Sequence, residues 1–322
     1  MTYLVTGCAG FIGWHLTMEL LHRGHRIVGV DNLNDYYDIR LKEWRLGELQ
    51  TWDTFTFYQA DISDYAELES LFAQNQFEGV FNLAARAGVR ASVEDPWVYY
   101  RTNTEGTLNI LECCRRYEVK HLVQASTSSI YGNNPTPFRV EDKTDHTISP
   151  YAASKKAAEE LCYSYHYIYG IHVSIPRYFS VYGPAGRPDM AYFKFMIMID
   201  RGDTIPVYGD GSQSRDFTFV KDVVEATIRG MDLEGYHIYN VGGEHPVELK
   251  EIIRLIEDGL GKKARIEYLP RHPADGLITF ADINSTREKI GWAPTVDITE
   301  GLGKVLGWYQ EHREWLQQLR LD

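Results

Sequence analysis

Tyr151 and Lys155 lie four residues apart in the stretch Pro150-Tyr-Ala-Ala-Ser-Lys155. On a helix this spacing places both side chains on one face, one turn from each other. The ammonium group of such a lysine favours the ionised phenol, so it is expected to lower the tyrosine pKa from about 10. The phenolate then accepts a proton from a hydroxyl group near neutral pH. Such pairs also occur as solvated pairs on surface helices, and the rest of the chain distinguishes the two interpretations.

The N-terminal residues predict a dinucleotide-binding turn. Residues 2–6 form a short apolar strand pattern, and Gly7, Gly10 and Gly13 follow at the start of an apolar helix over residues 11–21. Glycines there allow a tight turn and let a pyrophosphate approach backbone N–H groups at the helix N-terminus. The spacing Gly-x-x-Gly-x-x-Gly differs from the usual Gly-x-Gly-x-x-Gly, but the physical reason is the same.

A second strand pattern, residues 26–30, ends at Asp31. A carboxylate at this place suits the adenosine ribose diol and repels a 2′-phosphate, which favours NAD over NADP. In the alternative interpretation, Asp31 and Asn32 only open a loop. The order of strand, glycine turn, helix and strand favours the cofactor site.

These residues resemble the extended short-chain dehydrogenase/reductase family, and the resemblance covers essentially the whole chain. Its further landmarks are Asp61 and Ile62, residues 82–85, Asn103, residues 126–132, residues 177–179, residues 182–184 and residues 215–217. Within the family the chain is most similar to nucleotide-sugar epimerases, and among these to UDP-glucuronate 4-epimerases in particular. Residues 31–37, 87–90 and 186–190 carry this narrower resemblance.

Strand and helix patterns alternate through the first 180 residues, which predicts an α/β fold with a Rossmann-type, doubly wound parallel sheet. Residues 1–180 are expected to form an NAD-binding domain, and elements near residues 215–245 are expected to return to it. Residues 181–322 are expected to form mainly a smaller C-terminal α/β lobe that binds the UDP-sugar. Long helices are predicted at residues 97–117, 151–169 and 299–318. Trp308 and Trp315 are expected to pack on the body of the protein.

Composition indicates a soluble enzyme. The 322 residues carry 33 Lys and Arg against 45 Asp and Glu, a net charge of −12, which argues against nucleic acid or an anionic membrane as partner. The cysteines have no metal-ligand spacing and are expected to be reduced, packed thiols: Cys8, Cys113, Cys114 and Cys162. The first strand pattern begins at residue 2 and no apolar run approaches the roughly eighteen residues of a membrane span. The sequence therefore predicts no signal peptide, no metal site and a cytoplasmic location.

The resemblance implies NAD as a cofactor that stays bound between catalytic cycles. It assigns contacts with NAD to the glycine turn, the strand ends and the Tyr151 helix. These residues are Gly7, Gly10, Phe11, Ile12, Gly13, Asp31, Asn32, Asp61, Ile62, Leu83, Ala84, Ala85, Asn103, Ser126, Tyr151, Lys155 and Tyr178.

The implied reaction interconverts UDP-glucuronate and UDP-galacturonate through a transient 4-keto sugar, which would make the protein an isomerase. In such an epimerase Tyr151 removes the proton of the 4-hydroxyl group while hydride passes from C4 to NAD. Lys155 tunes the phenol, and Thr127 bonds the reacting oxygen. The keto sugar then turns within the site and takes the hydride back on its other face.

Two serines separate this reaction from related ones. Nucleotide-sugar 4,6-dehydratases carry an Asp-Glu pair at the positions of Ser128 and Ser129, and UDP-glucuronate decarboxylases carry Glu at the position of Ser129. Galactose-type epimerases tend to have Ala-Thr there and Asn in place of Ser180. The four hydroxyl groups of Thr127, Ser128, Ser129 and Ser180 suit a carboxylate better than a neutral hydroxymethyl group, which favours a hexuronate substrate.

Basic and aromatic residues are expected to hold the UDP moiety. Arg215 matches the family arginine that contacts the diphosphate, and Arg187 is a second candidate. Either Arg271 or His272 is a third, because the spacing to Asp275 is one residue longer than usual. The alternative is that these arginines form surface ion pairs. The other expected substrate contacts are Arg90, Phe193, Lys194, Val207, Tyr208 and Asp275.

Other functions are left open by the sequence. The nearest is 4-epimerisation of neutral or N-acetylated UDP-sugars, of the UDP-glucose/UDP-galactose type, and a less favoured one is UDP-glucuronate decarboxylation. A non-catalytic NAD sensor is a third, but such proteins usually lack the tyrosine or the lysine, and here both are present. A homodimer through residues 97–117 and 151–169 is expected from the resemblance.

Overall fold

A computed structural model describes residues 1–270 and 278–321. Its strands are β1 (Thr2–Thr6), β2 (Arg26–Asp31), β3 (Phe55–Gln59), β4 (Gly79–Asn82), β5 (His121–Gln124), β6 (Ser126–Thr127), β7 (His172–Tyr178), β8 (Ser180–Tyr182), β9 (Thr204–Tyr208), β10 (Ser214–Phe219), β11 (Tyr236–Val241), β12 (Pro246–Glu248), β13 (Arg265–Leu269) and β14 (Ile278–Thr279). The main sheet has the order β3-β2-β1-β4-β5-β7-β11, with β6 beside β7, and its neighbours pair in parallel. The predicted doubly wound parallel sheet is confirmed.

Helices connect these strands. They are α1 (Phe11–His22), α2 (Ile39–Leu49), α3 (Tyr65–Gln74), α4 (Ala91–Glu94), α5 (Pro96–Tyr99), α6 (Gly106–Arg116), α7 (Pro150–Tyr169), α8 (Ala191–Arg201), α9 (Val220–Gly230), α10 (Leu249–Leu260), α11 (Asn284–Ile290), α12 (Ile298–Glu311) and α13 (Arg313–Leu316). A π-helical segment, Tyr100–Glu105, joins α5 to α6, and a 3₁₀ turn, Ser128–Tyr131, follows β6.

Two predicted helices are divided in the structure. The helix expected over residues 97–117 has the π-helical segment in its middle, and this wider turn holds the buried Asn103, whose side chain donates to Ser154 Oγ at 2.9 Å. The helix expected over residues 299–318 breaks at His312, where the backbone leaves the helical range. Local periodicity predicts neither interruption, because both depend on contacts with distant residues.

The main sheet is buried on both faces, as a parallel sheet with crossover helices must be. Because side chains alternate along a strand, the neighbours Leu4 and Val5 of β1 enter two different apolar clusters. Leu4 packs with Leu71 and Ile110, whereas Val5 packs in the cluster that contains Val223. These opposite layers hold the strand ends in a fixed position.

The residues after β7 add a second, smaller unit. β10 pairs in parallel with β8 and β14 and antiparallel with β12, while β9 pairs with β13. A third apolar cluster, which includes Phe193, Ile256 and Leu306, lies among α8, α10 and α12. β11 returns to the main sheet beside β7. The two units are therefore interleaved along the chain.

The C-terminal helices pack against the first half of the chain through aromatic rings. The ring of Trp44 on α2 lies 5.4 Å from Trp308 and 6.3 Å from Trp315. This contact confirms that the two C-terminal tryptophans pack on the body. Within the described residues, no helix has the length and apolar character that a bilayer span requires. The four cysteines are free and buried.

The carboxylate of Asp200 joins α8 to the C-terminal helices. It accepts hydrogen bonds from Tyr309 at 2.7 Å, from Arg313 at 2.6 and 2.9 Å, from Gln317 at 2.6 Å and from Lys262 at 2.7 Å. Burial raises the pKa of Asp200, but the bonds from Arg313, Lys262 and Tyr309 outweigh it and hold the pKa well below its usual range. The break at His312 brings Arg313 and Gln317 into reach of this carboxylate.

We expect Asp200→Asn to lower the free energy of unfolding by about 1.5–3 kcal/mol, because hydrogen bonds to a charged group become neutral ones. The wild-type pKa is lowered on folding, so this contribution is present above the unfolded pKa of about 3.9 and is lost as pH falls. Urea unfolding at pH 7 and at pH 3 measures both effects. Asp203→Asn, in an exposed position nearby, is the control; equal stability of the two variants at pH 7 would contradict the role of Asp200.

Candidate active site

A cavity of about 530 Å³ lies at the carboxyl ends of the main-sheet strands and extends towards β8 and β10. This volume is in the range of ligand-binding pockets. The strand order reverses between β1 and β4, which is where doubly wound sheets bind their ligands. Residues that follow β1, β2, β4 and β5 all reach the cavity wall, although they are far apart in the chain.

The glycine turn forms one end of the cavity. Gly7 has φ +69°, and a Cβ atom there would lie 2.8 Å from the backbone nitrogen of Ala84. A Cβ atom on Gly13 would lie 2.0 Å from the carbonyl oxygen of Gly7. Gly10 caps α1 without any side-chain hydrogen bond, so the first-turn N–H groups of the helix face the turn. The turn therefore fits the pyrophosphate of a dinucleotide.

Asp31 lies next to this turn at the end of β2. Its carboxylate accepts hydrogen bonds from the backbone N–H groups of Ala9 at 3.2 Å and Leu33 at 2.9 Å. The buried ammonium of Lys42 lies 3.7 Å away, and burial lowers the pKa of Lys42 despite the opposing charge of Asp31. Asp31 is thus oriented by its own loop and partly balanced by one cation.

Tyr151 and Lys155 lie in the first two turns of α7. Ser149 caps the helix by accepting a hydrogen bond from the backbone N–H of Ala152 at 3.2 Å, and Pro150 occupies the first turn, where its missing N–H costs no hydrogen bond. Both chemical side chains line the cavity. The solvated-pair interpretation is therefore wrong, since Lys155 is only 3 % exposed.

The pKa values of Tyr151 and Lys155 differ from those expected from their spacing on a helix. Burial raises the pKa of Tyr151, and the hydrogen bond with Thr127 and the charge of Arg187 lower it without outweighing burial. Burial likewise lowers the pKa of Lys155 to about 8, against the raising effects of Cys162 and Glu159. Helical spacing brings the charge of a lysine near the phenol, but folding also removes water from both groups, and here the desolvation dominates. The expected lowering of the tyrosine pKa by Lys155 is therefore wrong for this structure.

A cluster of hydroxyl groups lies beside Tyr151 in the same cavity. It consists of Thr127, Ser128, Ser129 and Ser180, which we call the hydroxyl cluster. Thr127 Oγ1 accepts a hydrogen bond from the backbone N–H of Ser129 at 3.1 Å and donates to its Oγ at 3.2 Å. The 3₁₀ turn after β6 thus holds three of these hydroxyls together, and β8 supplies the fourth.

Two of the predicted arginines reach the cavity. Arg187 lines it and forms an ion pair with Asp189, with Nε 3.0 Å from Oδ1. Its guanidinium also lies 5.5 Å from the ring of Tyr36. Arg215 lines the cavity from β10. Both are placed to meet an anionic ligand.

Most of the residues predicted to bind cofactor or substrate line this cavity. In addition to the glycine turn, Asp31, Tyr151, Lys155, the hydroxyl cluster and the two arginines, they are Phe11, Ile12, Asn32, Asp61, Ile62, Leu83, Ala84, Ala85, Ser126 and Tyr178. Those that do not line it are Arg90, Asn103, Phe193, Lys194, Val207 and Tyr208. Arg271, Asp275 and the alternative His272 lie outside the described residues.

The residues outside the cavity wall have other contacts. Phe193 is buried in the apolar cluster of the smaller unit, because its helix turns that face inward. The guanidinium of Arg90 lies 4.0 Å from the ring of Tyr208. Asn103 donates to the backbone carbonyl of Arg86 and accepts from its N–H, so it supports the cavity wall from behind.

The cavity wall also contains residues that were not predicted from the sequence, among them Tyr36, Lys42, Arg86 and Asp189. The ring of Tyr36 lies 5.0 Å from the guanidinium of Arg86 and thus joins two cationic residues, Arg86 and Arg187. Tyr36 and Asp189 belong to segments that carried the resemblance, which was the one available signal. Lys42 and Arg86 have no local pattern that marks them, since only folding brings them to the cavity.

Comparisons with known proteins agree with this geometry. The NAD dependent epimerase/dehydratase family matches residues 3–242. A UDP-glucuronate 4-epimerase from Thermodesulfobacterium geofontis is 48% identical over 320 residues, which cover 99% of either chain. A UDP-glucuronic acid 4-epimerase from Bacillus cereus, solved in complex with UDP-glucuronic acid and NAD, superposes with a TM-score of 0.91 at 32% identity and covers 97% of this chain and 100% of its own.

A UDP-glucose 4-epimerase from Thermotoga maritima, solved with UDP-glucose, is also similar. Its TM-score is 0.89 at 31% identity, and the match covers 98% of this chain and 100% of that one. The fold alone therefore does not separate the two sugar specificities, and the side chains around the sugar must do so.

Asp31→Ala combined with Asn32→Arg is expected to raise the affinity for NADP relative to NAD. The change removes the carboxylate that repels a 2′-phosphate and leaves Lys42 beside a second cation. Calorimetric titration of wild type and variant with both dinucleotides measures the ratio of dissociation constants. Asp35→Ala, in the same loop but exposed and outside the cavity wall, is the control. Wild-type protein that binds NADP as tightly as NAD would show that Asp31 does not select the cofactor.

Proposed function

Because the chain belongs to the NAD dependent epimerase/dehydratase family, we propose that it is an NAD-dependent UDP-glucuronate 4-epimerase. It interconverts UDP-glucuronate and UDP-galacturonate through a transient 4-keto sugar. The observation that carries this proposal is the hydroxyl cluster beside Tyr151, in a protein 48% identical to a named UDP-glucuronate 4-epimerase along its whole length. NAD is the cofactor, and when bound it accepts the hydride from C4 of the sugar and returns it.

We assign the dinucleotide to residues 1–180 and the UDP-sugar mainly to residues 181–322. The glycine turn takes the pyrophosphate of NAD, and Asp31 takes the adenosine ribose diol. Arg215 faces the diphosphate of the UDP-sugar, since a guanidinium binds phosphate oxygens in a bidentate manner. The sugar then lies between these two ends, against Tyr151.

In the proposed mechanism the sugar 4-hydroxyl lies between Tyr151 and Thr127. The tyrosine oxygen takes the hydroxyl proton, and Thr127 holds the same oxygen through a hydrogen bond. Tyr151 is neutral when buried, so its deprotonation needs cationic neighbours, and Lys155 remains mostly protonated below its pKa of about 8. The charge of Arg187 lowers the pKa of Tyr151, although burial outweighs this effect before the substrate is bound. The base is therefore the deprotonated form of Tyr151, which Arg187 and Thr127 favour, and it becomes a neutral phenol when it takes the hydroxyl proton.

A hexuronate requires additional control, because a 4-keto uronate is a β-keto acid that loses CO₂ readily. We propose that the hydroxyl cluster binds the carboxylate and keeps the C5–C6 bond near the plane of the carbonyl group. Among the described residues, the acidic side chains that line the cavity are Asp31, Asp61 and Asp189. Asp31 and Asp61 lie at the dinucleotide end. Although burial raises the pKa of Asp189, Arg187 outweighs this and lowers it, so Asp189 stays ionised and offers no proton to C5.

We further propose that the protein acts as a homodimer in the cytoplasm. Trp97 and Tyr167 are 80% and 79% exposed, and Tyr163 and Ile168 are exposed on the same helix as Tyr167. Exposed apolar side chains grouped in this way are typical of a protein contact. A single monomeric species at micromolar concentration in sedimentation equilibrium would contradict the dimer, and cell fractionation tests the location.

The activity is tested by incubating the protein with UDP-glucuronate, UDP-glucose and UDP-N-acetylglucosamine separately and identifying the products by NMR. We expect UDP-galacturonate from the first and little conversion of the others.

Tyr151→Phe is expected to keep UDP-sugar affinity and to lower kcat by at least about 10², because the general base is lost. Equal efficiency on UDP-glucose would favour the neutral-sugar alternative, and near wild-type turnover by Tyr151→Phe would remove Tyr151 as the base.

Ser128→Ala and Ser129→Ala are expected to slow epimerisation and to release a decarboxylated UDP-4-keto-pentose. Each removes one hydrogen bond to a charged group, worth about 1.5–3 kcal/mol, and so loosens the carboxylate. The product ratio is measured by NMR and mass spectrometry with UDP-glucuronate as substrate. Ser70→Ala, in an exposed position on α3 and outside the cavity wall, serves as the matched control. Normal turnover by both variants without any decarboxylated product would rule out this role for the serines.

A further inference from the structure

We propose that the ion pair between Glu159 and Arg177 is a positioning device for the reaction, which holds the Tyr151 helix at a set distance from the strand end that carries Thr127. Neither side chain lines the cavity, so neither touches substrate or cofactor. The inference rests on the proposed function, because Glu159 and Arg177 would position residues of the same active site.

Glu159 follows Lys155 by one helical turn and Tyr151 by two on α7. Its Oε1 accepts hydrogen bonds from Arg177 Nε at 3.0 Å and from Ser126 Oγ at 2.6 Å, and its Oε2 accepts from Arg177 NH2 at 2.8 Å. The side chains of Glu159 and Arg177 are 1% and 2% exposed. One carboxylate therefore joins α7 to β6 and to β7 at once.

Arg177 extends the connection to the serine turn. Its NH1 group donates to the hydroxyl of Tyr131 at 3.0 Å, and its guanidinium lies 5.0 Å from the ring of the same tyrosine. The hydroxyl of Tyr131 in turn donates to Asn240 on β11 at 2.6 Å. Tyr131 ends the 3₁₀ turn that holds Ser128 and Ser129. The same ion pair thus sets the position of the hydroxyl cluster relative to α7.

The pair stays charged in spite of its burial. Burial raises the pKa of Glu159, but the hydrogen bonds and charge of Arg177, helped by Ser126 and Lys156, outweigh it and lower the pKa. Lys156 is a further cation beside Glu159, with its Nζ 3.5 Å from Oε2. The charge of Glu159 also acts on Lys155, whose pKa it raises against the effect of burial. The carboxylate consequently offers fixed, directional acceptors to both strands.

Stability alone does not explain such a pair. Replacing a buried ion pair by apolar or neutral groups of similar volume is often neutral or stabilising, whereas removing one partner alone leaves an unpaired charge. Position, in contrast, is critical next to a reacting atom, since a misplacement of about 1 Å costs roughly 10² in rate. Ser126 is bonded to Glu159 and immediately precedes Thr127, so a shift of the carboxylate moves the Thr127 hydroxyl relative to Tyr151.

The double variant Glu159→Gln/Arg177→Met tests this role, because it removes both charges together and keeps the volume. We expect its melting temperature to stay within a few degrees of wild type, while kcat falls at least about tenfold and the KM and calorimetric Kd for UDP-glucuronate change less than about twofold. The single variant Glu159→Gln is expected to lower both kcat and melting temperature. The rates are measured with the full-length protein.

Asp222→Asn is the matched control for a buried carboxylate outside the active site. Asp222 on α9 accepts hydrogen bonds from the backbone N–H groups of Thr295 and Val296, both at 3.0 Å. We expect this variant to lose stability and to keep kcat. A double variant whose kcat stays within twofold of wild type would overturn the proposal, as would a loss of kcat in Asp222→Asn as large as in Glu159→Gln.

The wild-type rate separates this inference from the proposed function. If wild type does not epimerise UDP-glucuronate, the proposed function fails, and the positioning role is measured with whichever UDP-sugar the wild type converts. The ratio of variant to wild-type kcat on that sugar then supports or overturns the role of the ion pair.

Discussion

Parallel pairing of the main-sheet strands is the constraint on which the candidate site depends. β1 lies between β2 and β4, so the residues that follow Thr6, Asp31 and Asn82 reach the same edge of the sheet. Parallel strands need crossover helices, which cover both faces and make the whole sheet apolar. Polar side chains are therefore concentrated at the strand ends. The cavity lies where the strand order reverses and adjacent crossovers leave the sheet on opposite faces.

The same burial that builds the cavity sets the electrostatics of its residues. Desolvation raises the pKa of Tyr151 and lowers that of Lys155, so both groups are shifted towards neutrality before any charge of the other is considered. Asp189 remains ionised only because Arg187 lies beside it. In the proposed mechanism, Tyr151 acts at the 4-hydroxyl group and the ionised Asp189 offers no proton to C5.

The two units of the chain are held together by aromatic and polar contacts in addition to an apolar cluster that contains Val5 of β1 and Val181 of β8. The aromatic contacts of Trp44 join α2 to the C-terminal helices, and Asp200 joins those helices to α8. β8 and β10 pair in parallel and bring Ser180 and Arg215 to the cavity. The smaller unit therefore completes a site that the main sheet begins. Glu159 and Arg177 serve a comparable purpose inside the larger unit, where they connect the Tyr151 helix to the neighbouring strands.

The sequence by itself determined the fold class, the glycine turn, Asp31, and the helix of Tyr151 and Lys155. Each of these depends on a local property: the conformational freedom of glycine, the period of a helix or strand, or a residue placed directly after a strand. Only the tertiary structure decided that Lys42 balances Asp31, that Arg187 pairs with Asp189, and that Phe193 lies in a core. It also decided that the pKa of Tyr151 lies above its ordinary value and not below it. Contacts between distant residues and the loss of water around a side chain arise from packing, and no local pattern in the chain encodes them.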